Sequence, residues 1–208
     1  MSSEQPALLL ERDGPVAIIT NNDAPRNRMT LEFIDALEET IGELATDQTA
    51  RAIIIRGAGE EHFSVGMNLK QLGEGVERKG SIDALLDQRL RVLAMIENLD
   101  KPVIAVLFGY CLGGGLELPL ACHFRLAAED GAQIGLPELD IGTVPAWGGT
   151  ARLTRCVGRD QALDIILRAK KISGPQAQAI GPGQEVWANA ILVDKARALG
   201  RELAARPP

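Results

Sequence analysis

Two stretches of the chain are apolar without interruption, Ala52-Ile53-Ile54-Ile55 and Val103-Ile104-Ala105-Val106-Leu107, and both are rich in β-branched residues. A strand with one wet face alternates apolar and polar side chains. A run with no alternation reads instead as a strand buried on both faces, the condition inside a parallel sheet covered by helices. Helical patterns flank these runs. The apolar positions Leu31, Ile34, Leu37, Ile41 and Leu44 recur at helical spacing behind Thr30, which suits an N-cap. A second amphipathic helix is expected from Ser81 to about Leu99, stopped by Pro102. Residues 7–11 and 16–20 flank Asp13-Gly14-Pro15 and read as two short strands around a turn. Residues 69–80, with Gly73, Gly75 and Gly80 among charges, are expected to be a mobile segment. Strand alternating with helix implies an α/β fold with mostly parallel pairing, because parallel neighbours need a crossover.

The 208 residues, 46% hydrophobic and 24% charged, suffice for one core, in one domain or one domain with a small appendage. A formal charge of −6 opposes a general role on nucleic acid or at a membrane surface, while leaving room for a local basic cluster that holds an anionic ligand. Cys111, Cys122 and Cys156 form no CxxC pair and only two histidines accompany them, so neither a disulfide framework nor a metal site is expected. The cysteines read as small buried apolar residues. The first residues carry acids rather than a basic leader, and no apolar run approaches the roughly 18 residues of a membrane span. A reducing, cytoplasmic setting follows.

Residues 108–123, FGYCLGGGLELPLACH, set three glycines ahead of Glu117. They are not a phosphate loop, because no GxxxxGK[ST] occurs and the glycines do not fit GxGxxG. A strand should end near Gly109, the glycines turn, and a helix begin near Gly115 or Leu116 with Pro119 in its first turn. A helix start offers unpaired N–H groups and suits an anion, here one that forms during reaction, an enolate or tetrahedral oxyanion. Tight turning or close helix–strand packing is the competing reading of such a triplet. A second stretch, EHFSVGMNLK (61–70), offers further amides, and a third, IGLPELDIGTVPAWGGTARL (134–153), contributes Glu138. Two acids near two amide donors make a proton-transfer site, and the apolar wall LELPLA would raise the pKa of at least one of them.

Taken in order, these stretches resemble the crotonase, or enoyl-CoA hydratase/isomerase, superfamily, closest to enoyl-CoA hydratase. FSVGMNLK is similar to the family's F-x-x-G-x-D-L motif, GYCLGGGLEL to its second oxyanion motif, and GLPELDIGTVPAWGGTARL to P-E-x-x-x-G-x-x-P-x-x-G-G-T-x-R-L. The resemblance implies an α/β spiral of ββα repeats forming two packed sheets surrounded by helices, assembled as a trimer or dimer of trimers. It implies a core over residues 1–190, with 191–208 the start of a shortened C-terminal helical region. The substrate would be an acyl-CoA thioester, with coenzyme A part of the substrate and no separate cofactor or metal. The Met67 amide, after Gly66, matches the first oxyanion donor, and the Gly114 amide, after Gly113, the second. Glu117 and Glu138 fall on the hydratases' two glutamates: one activates water for addition at C3, the other supplies a proton to C2. Arg26, Arg28 and Lys70 lie where the family contacts the nucleotide, and the Val65 carbonyl where relatives meet adenine. Trp147 occupies a position that is usually small, and either narrows the acyl pocket or fills a gap. Δ3-Δ2 isomerisation, another acyl-CoA lyase reaction, or a non-catalytic acyl-CoA binder or assembly subunit are the alternatives.

The chain departs from the family pattern in places. Asn68 stands for the usual Asp, and His123 for another, the latter read as a cap or core residue. His62 is a singleton, and Ser64 lacks the partners of a nucleophile. In AIGPGQEVW (179–187), Pro182 and Gly183 are poor strand residues, so a disrupted ladder is expected there.

Overall fold

The computed structural model describes residues 5–207. β1 (Leu8–Asp13) and β2 (Val16–Asn21) form the hairpin anticipated around Asp13-Gly14-Pro15, antiparallel with Leu8 opposite Asn21. The chain then alternates through α1 (Leu31–Thr46), β3 (Ala52–Gly57), α2 (Leu72–Lys79), α3 (Ile82–Glu97) and β4 (Val103–Leu107). β5 (Tyr110–Leu112), α4 (Gly114–Ala121), β6 (Phe124–Ala128) and β7 (Gln133–Gly135) follow. The chain continues through α5 (Gly149–Val157), α6 (Arg159–Leu167), α7 (Gly174–Ile180), β8 (Glu185–Trp187) and α8 (Asn189–Ala204). Six strands make one sheet in the order β1-β2-β3-β4-β6-β8, parallel throughout after the hairpin, and β5 and β7 pair as a second, parallel sheet.

The uninterrupted apolar runs become the central strands, with every residue of β4 buried and β3 buried except at Arg56 and its partly exposed side chain. The helix behind Thr30 starts where its hydroxyl predicted, and the second starts at the expected Ser81. Thr30 Oγ1 accepts the Phe33 N–H at 3.0 Å and Ser81 Oγ the Ala84 N–H at 3.0 Å, each supplying an acceptor that the first helical turn lacks. α8 lies across the sheet on Leu192, Ala196, Gly200 and Ala204, and a Cβ on Gly200 would come within 3.1 Å of Val16 Cγ1. The small residues set that close approach. No helix among the described residues is long and apolar enough to cross a membrane.

Three local expectations are corrected. The segment read as mobile is helical: a 3₁₀ turn over Leu69–Gln71 leads into α2, and Gly80 ends it in the left-handed conformation. Gly75 is there for contact rather than freedom, since a Cβ would meet Leu31 and Leu85 methyls at 2.9 and 3.0 Å. Second, α4 begins at Gly114, so Pro119 sits in its second turn, where its missing N–H costs an intrahelical bond. The helix closes two residues later, and buried Arg125 donates to the Pro119 and Cys122 carbonyls at that end. Third, the ladder at 182–187 is intact. Pro182 and Gly183 precede β8, and Arg125 holds the approach by donating to the Pro182 carbonyl at 2.8 Å and, through its backbone N–H, to Gln184 Oε1 at 2.7 Å. β8 then pairs with β6 from Leu126 opposite Glu185 onward.

Candidate active site

Beyond β4 the chain turns and runs as β5 beside the 61–70 stretch. Ser64 N–H donates to the Tyr110 carbonyl at 2.9 Å and Leu112 N–H to the Ser64 carbonyl at 3.1 Å. On its other side this stretch meets Met29, whose N–H donates to the Gly66 carbonyl at 2.8 Å, while the Asn68 N–H donates to the Met29 carbonyl at 3.2 Å. That pattern engages the amides on either side of Met67 differently from its own. Among the described residues, neither the Met67 amide nor the Gly114 amide donates to another group of the chain.

The glycines bring these two amides together. Gly66 has φ +93°, and a Cβ on it would lie 2.7 Å from the Leu112 carbonyl oxygen and 3.5 Å from the Gly114 nitrogen. A side chain at 66 would therefore separate the two segments. Each member of the triplet serves a different close approach. A Cβ on Gly113 would be 3.1 Å from Glu138 Oε1, one on Gly114 2.5 Å from the Trp147 ring, and one on Gly115 2.5 Å from the Ser64 carbonyl. Close packing, one of the two readings of the triplet, accounts for all three glycines, and the Gly114 amide still donates to no group among the described residues.

Glu117 lies in the first turn of α4 and is 2% exposed. Its Oε1 accepts the Trp147 and Gly149 N–H groups, both at 2.8 Å. Burial pushes its pKa up to about 7, with the negative charge of Glu138 adding to the rise, while the two N–H donors and Arg152 oppose it. Glu138 opens a 3₁₀ turn over Glu138–Ile141, and burial raises its pKa too. Its Oε2 is buried with no hydrogen-bond partner among the described residues. Trp147, 4% exposed, lays its indole against Gly114.

Val65, Gly66, Met67, Gly113, Gly114, Glu117, Glu138 and Trp147 all line one cavity of about 540 Å³. Leu69, Leu72, Ile82, Ile141 and Val144 give it an exposed apolar rim. A larger cavity of about 670 Å³, between Arg56, Phe108 and the start of α8, holds neither the paired acids nor the free amides. Chemistry rather than size selects the site. The three cations named from the sequence do not line the cavity. Arg28 is bound to Asp23 through Nε and Nη2 at 2.6 and 2.7 Å, while exposed Arg26 adjoins Val65, whose N–H donates to the Arg26 carbonyl at 3.1 Å. Lys70 is exposed on the 3₁₀ turn.

Other polar residues have structural occupations. Ser64 Oγ accepts the Gly66 N–H at 3.0 Å, and half-buried His123 Nδ1 accepts the Val103 N–H at 3.0 Å, capping the start of β4. His62 stacks on Tyr110 with ring centroids 4.3 Å apart. Sequence reasoning missed Leu72, Ile82 and Leu86, which line the cavity from a segment read as mobile and from the helix after it. It also missed Glu97, whose carboxylate binds Arg152. No local signal links two residues so far apart in the chain.

The model of the family "Enoyl-CoA hydratase/isomerase" matches residues 11–208. The chain is 38% identical over 209 residues to a Bacillus subtilis (strain 168) protein named "Probable enoyl-CoA hydratase", covering 97% of this chain and 78% of that protein. It is 32% identical over 202 residues to the "Short-chain-enoyl-CoA hydratase" of Clostridium acetobutylicum, covering 97% and 76%. A solved enoyl-CoA hydratase structure from Bacillus anthracis shares its fold with a TM-score of 0.90 at 31% identity, over 97% of this chain and 78% of that one. With agreement in sequence and in fold across nearly all its length, the chain belongs to the enoyl-CoA hydratase/isomerase family and has the crotonase fold.

Proposed function

We propose that the protein adds water across the double bond of a 2-enoyl-CoA thioester, giving the 3-hydroxyacyl-CoA. The observation that carries this reading is the meeting, in one cavity, of buried Glu117, half-buried Glu138 and two amides that no group among the described residues occupies. The thioester carbonyl oxygen sits between the Met67 and Gly114 N–H groups. As the water oxygen bonds to C3, the π electrons of the double bond shift through C2 onto that oxygen, and the enolate forms facing both donors. A donor of this kind is worth about 3 to 4 kcal/mol at the transition state.

Glu117 and Glu138 manage the protons. Burial raises both carboxyls and the charge on Glu138 raises Glu117 further, so ionising one disfavours ionising the other and the pair is read as sharing one proton. The ionised member takes a proton from the attacking water. The protonated member gives its proton to C2, and the enolate collapses back to the thioester carbonyl. A Glu117 pKa of about 7 keeps both forms accessible at the working pH. Arg26, exposed beside Val65, and Lys70, exposed on the turn that carries Leu69, supply countercharge to the coenzyme A phosphates in a protein of net charge −6.

The test is spectrophotometric. Crotonyl-CoA added to the protein should lose the absorbance of its conjugated thioester, with a product heavier by one water. Tight binding with constant absorbance would replace this reading with that of a non-catalytic binder. Conversion of a 3-enoyl-CoA to the conjugated isomer without hydration would make it an isomerase.

A further inference from the structure

We propose that Arg152, anchored by Glu97, is a positioning residue for Glu117: it clasps the Trp147–Gly149 turn so that both turn amides stay on the Glu117 carboxylate. Arg152 lies in α5, one turn beyond Gly149, with its side chain only 10% exposed. Its guanidinium faces two ways. Nη1 donates to the Trp147 carbonyl at 2.9 Å, while Nε and Nη2 donate to Glu97 Oε2 at 3.0 and 2.7 Å. Trp147 is thus held by both of its backbone polar groups, its carbonyl on Arg152 and its amide on Glu117. The turn is closed tightly over the guanidinium. Gly148 has φ +89°, and a Cβ there would lie 2.6 Å from Arg152 Nη1.

Lysine could not do this, because one ammonium has no planar fork to span a carboxylate and a carbonyl at once. Glu97 ends α3, so the clasp ties the turn that holds Glu117 to the far end of a neighbouring helix. The consequence for Glu117 is electrostatic as well as geometric. From the elements packed against α4, the charges acting on Glu117 are Arg152 from α5 and Glu138 from the turn after β7, and Glu97 of α3 acts through Arg152. Both the guanidinium charge and the two N–H donors favour the ionised carboxylate. Without Arg152 the charge goes and the donors loosen, so Glu117 should hold its proton to higher pH.

The inference rests on the reading of Glu117 as half of the acid–base pair, and the experiment separates the two. Glu117 is titrated by infrared difference spectroscopy, its carboxyl band assigned with Glu117→Gln, alongside steady-state kinetics with crotonyl-CoA. In Arg152→Gln the titration should move upward by about one pH unit. The kcat should fall about 10- to 100-fold with KM within about threefold. Arg152→Lys, which keeps the charge, should restore most of the titration shift but only part of kcat. If Arg152→Gln does not fold, Glu97→Gln serves, since its partly exposed side chain tolerates the change, and it should lower kcat in the same way. Folded variants with titration and kcat within about twofold of the parent would overturn the clasp and leave an ordinary structural ion pair. A moved titration in a protein that never hydrates crotonyl-CoA would refute the hydratase reading and leave the clasp standing.

Discussion

Gly149 and Glu117 are in contact closer than any side chain at 149 would allow: the Gly149 N–H donates to Glu117 Oε1 at 2.8 Å, and a Cβ on Gly149 would lie 2.7 Å from Glu117 Cγ. Gly149→Ala should therefore displace the carboxylate rather than merely crowd it. We expect kcat to fall about 10- to 100-fold, with a stability loss of about 1 to 3 kcal/mol measured by denaturant unfolding. Activity within twofold of the parent would show that the carboxylate can shift at no cost.

The paired carboxyls lead to a kinetic and a thermodynamic expectation. Glu117→Gln and Glu138→Gln should each lower turnover about 100-fold or more, as loss of an acid–base group does. Turnover within threefold of the parent in both would remove them from the chemistry.

For Glu117 the thermodynamic effect has the opposite sign. Its folded pKa, about 7, is above the usual 4.5, so the folded state binds the extra proton between those values and stability falls as pH rises through that window. Glu117→Gln keeps an oxygen for the Trp147 and Gly149 amides and removes the buried charge. It should be more stable than the parent at pH 8, by up to about 3 kcal/mol, with the difference vanishing below pH 4.5. Thermal unfolding at the two pH values checks this.

Trp147→Ala should enlarge the cavity and shift preference toward longer acyl chains, at a stability cost of about 3 to 5 kcal/mol for a buried indole. Relative kcat/KM across a series of 2-enoyl-CoA chain lengths reads the effect. An unchanged preference would assign Trp147 to packing on Gly114 alone.

The exposed cations should act on binding. Arg26→Gln and Lys70→Gln are expected to raise KM for the CoA thioester several-fold while leaving kcat in place, with the effect shrinking at high salt. Arg28→Gln should raise KM less, because Asp23 already takes its guanidinium in two hydrogen bonds. Equal effects from all three would mean that the Asp23 pair opens on binding.

The central strands, the capped helices and the paired acids were legible because each writes its signal locally. β3 and β4 show it as unbroken apolar runs, α1 as a hydroxyl before a helical period, Glu117 as an acid after a glycine triplet and Glu138 as an acid after a proline. Misreadings arose where a local signal had a tertiary cause. Gly75 looked like freedom and proved to be contact with Leu31 and Leu85, and Pro182 looked like a broken strand and proved to be a carbonyl held by Arg125. The Glu97–Arg152 pair leaves no local trace at all, since its partners lie on different helices.

Arg125 makes the outer end of α4 depend on a loop that never approaches the cavity, because one guanidinium serves the Pro119, Cys122 and Pro182 carbonyls together. For anyone remodelling the protein, the surface is therefore not uniformly permissive. A residue grafted at the open turns of Gly131 (φ +72°) or Gly158 (φ +76°) meets backbone strain but no neighbour within 4 Å, so its cost stays local to the turn. The same graft at 182–184 would pull on the helix that begins at Gly114 and carries Glu117.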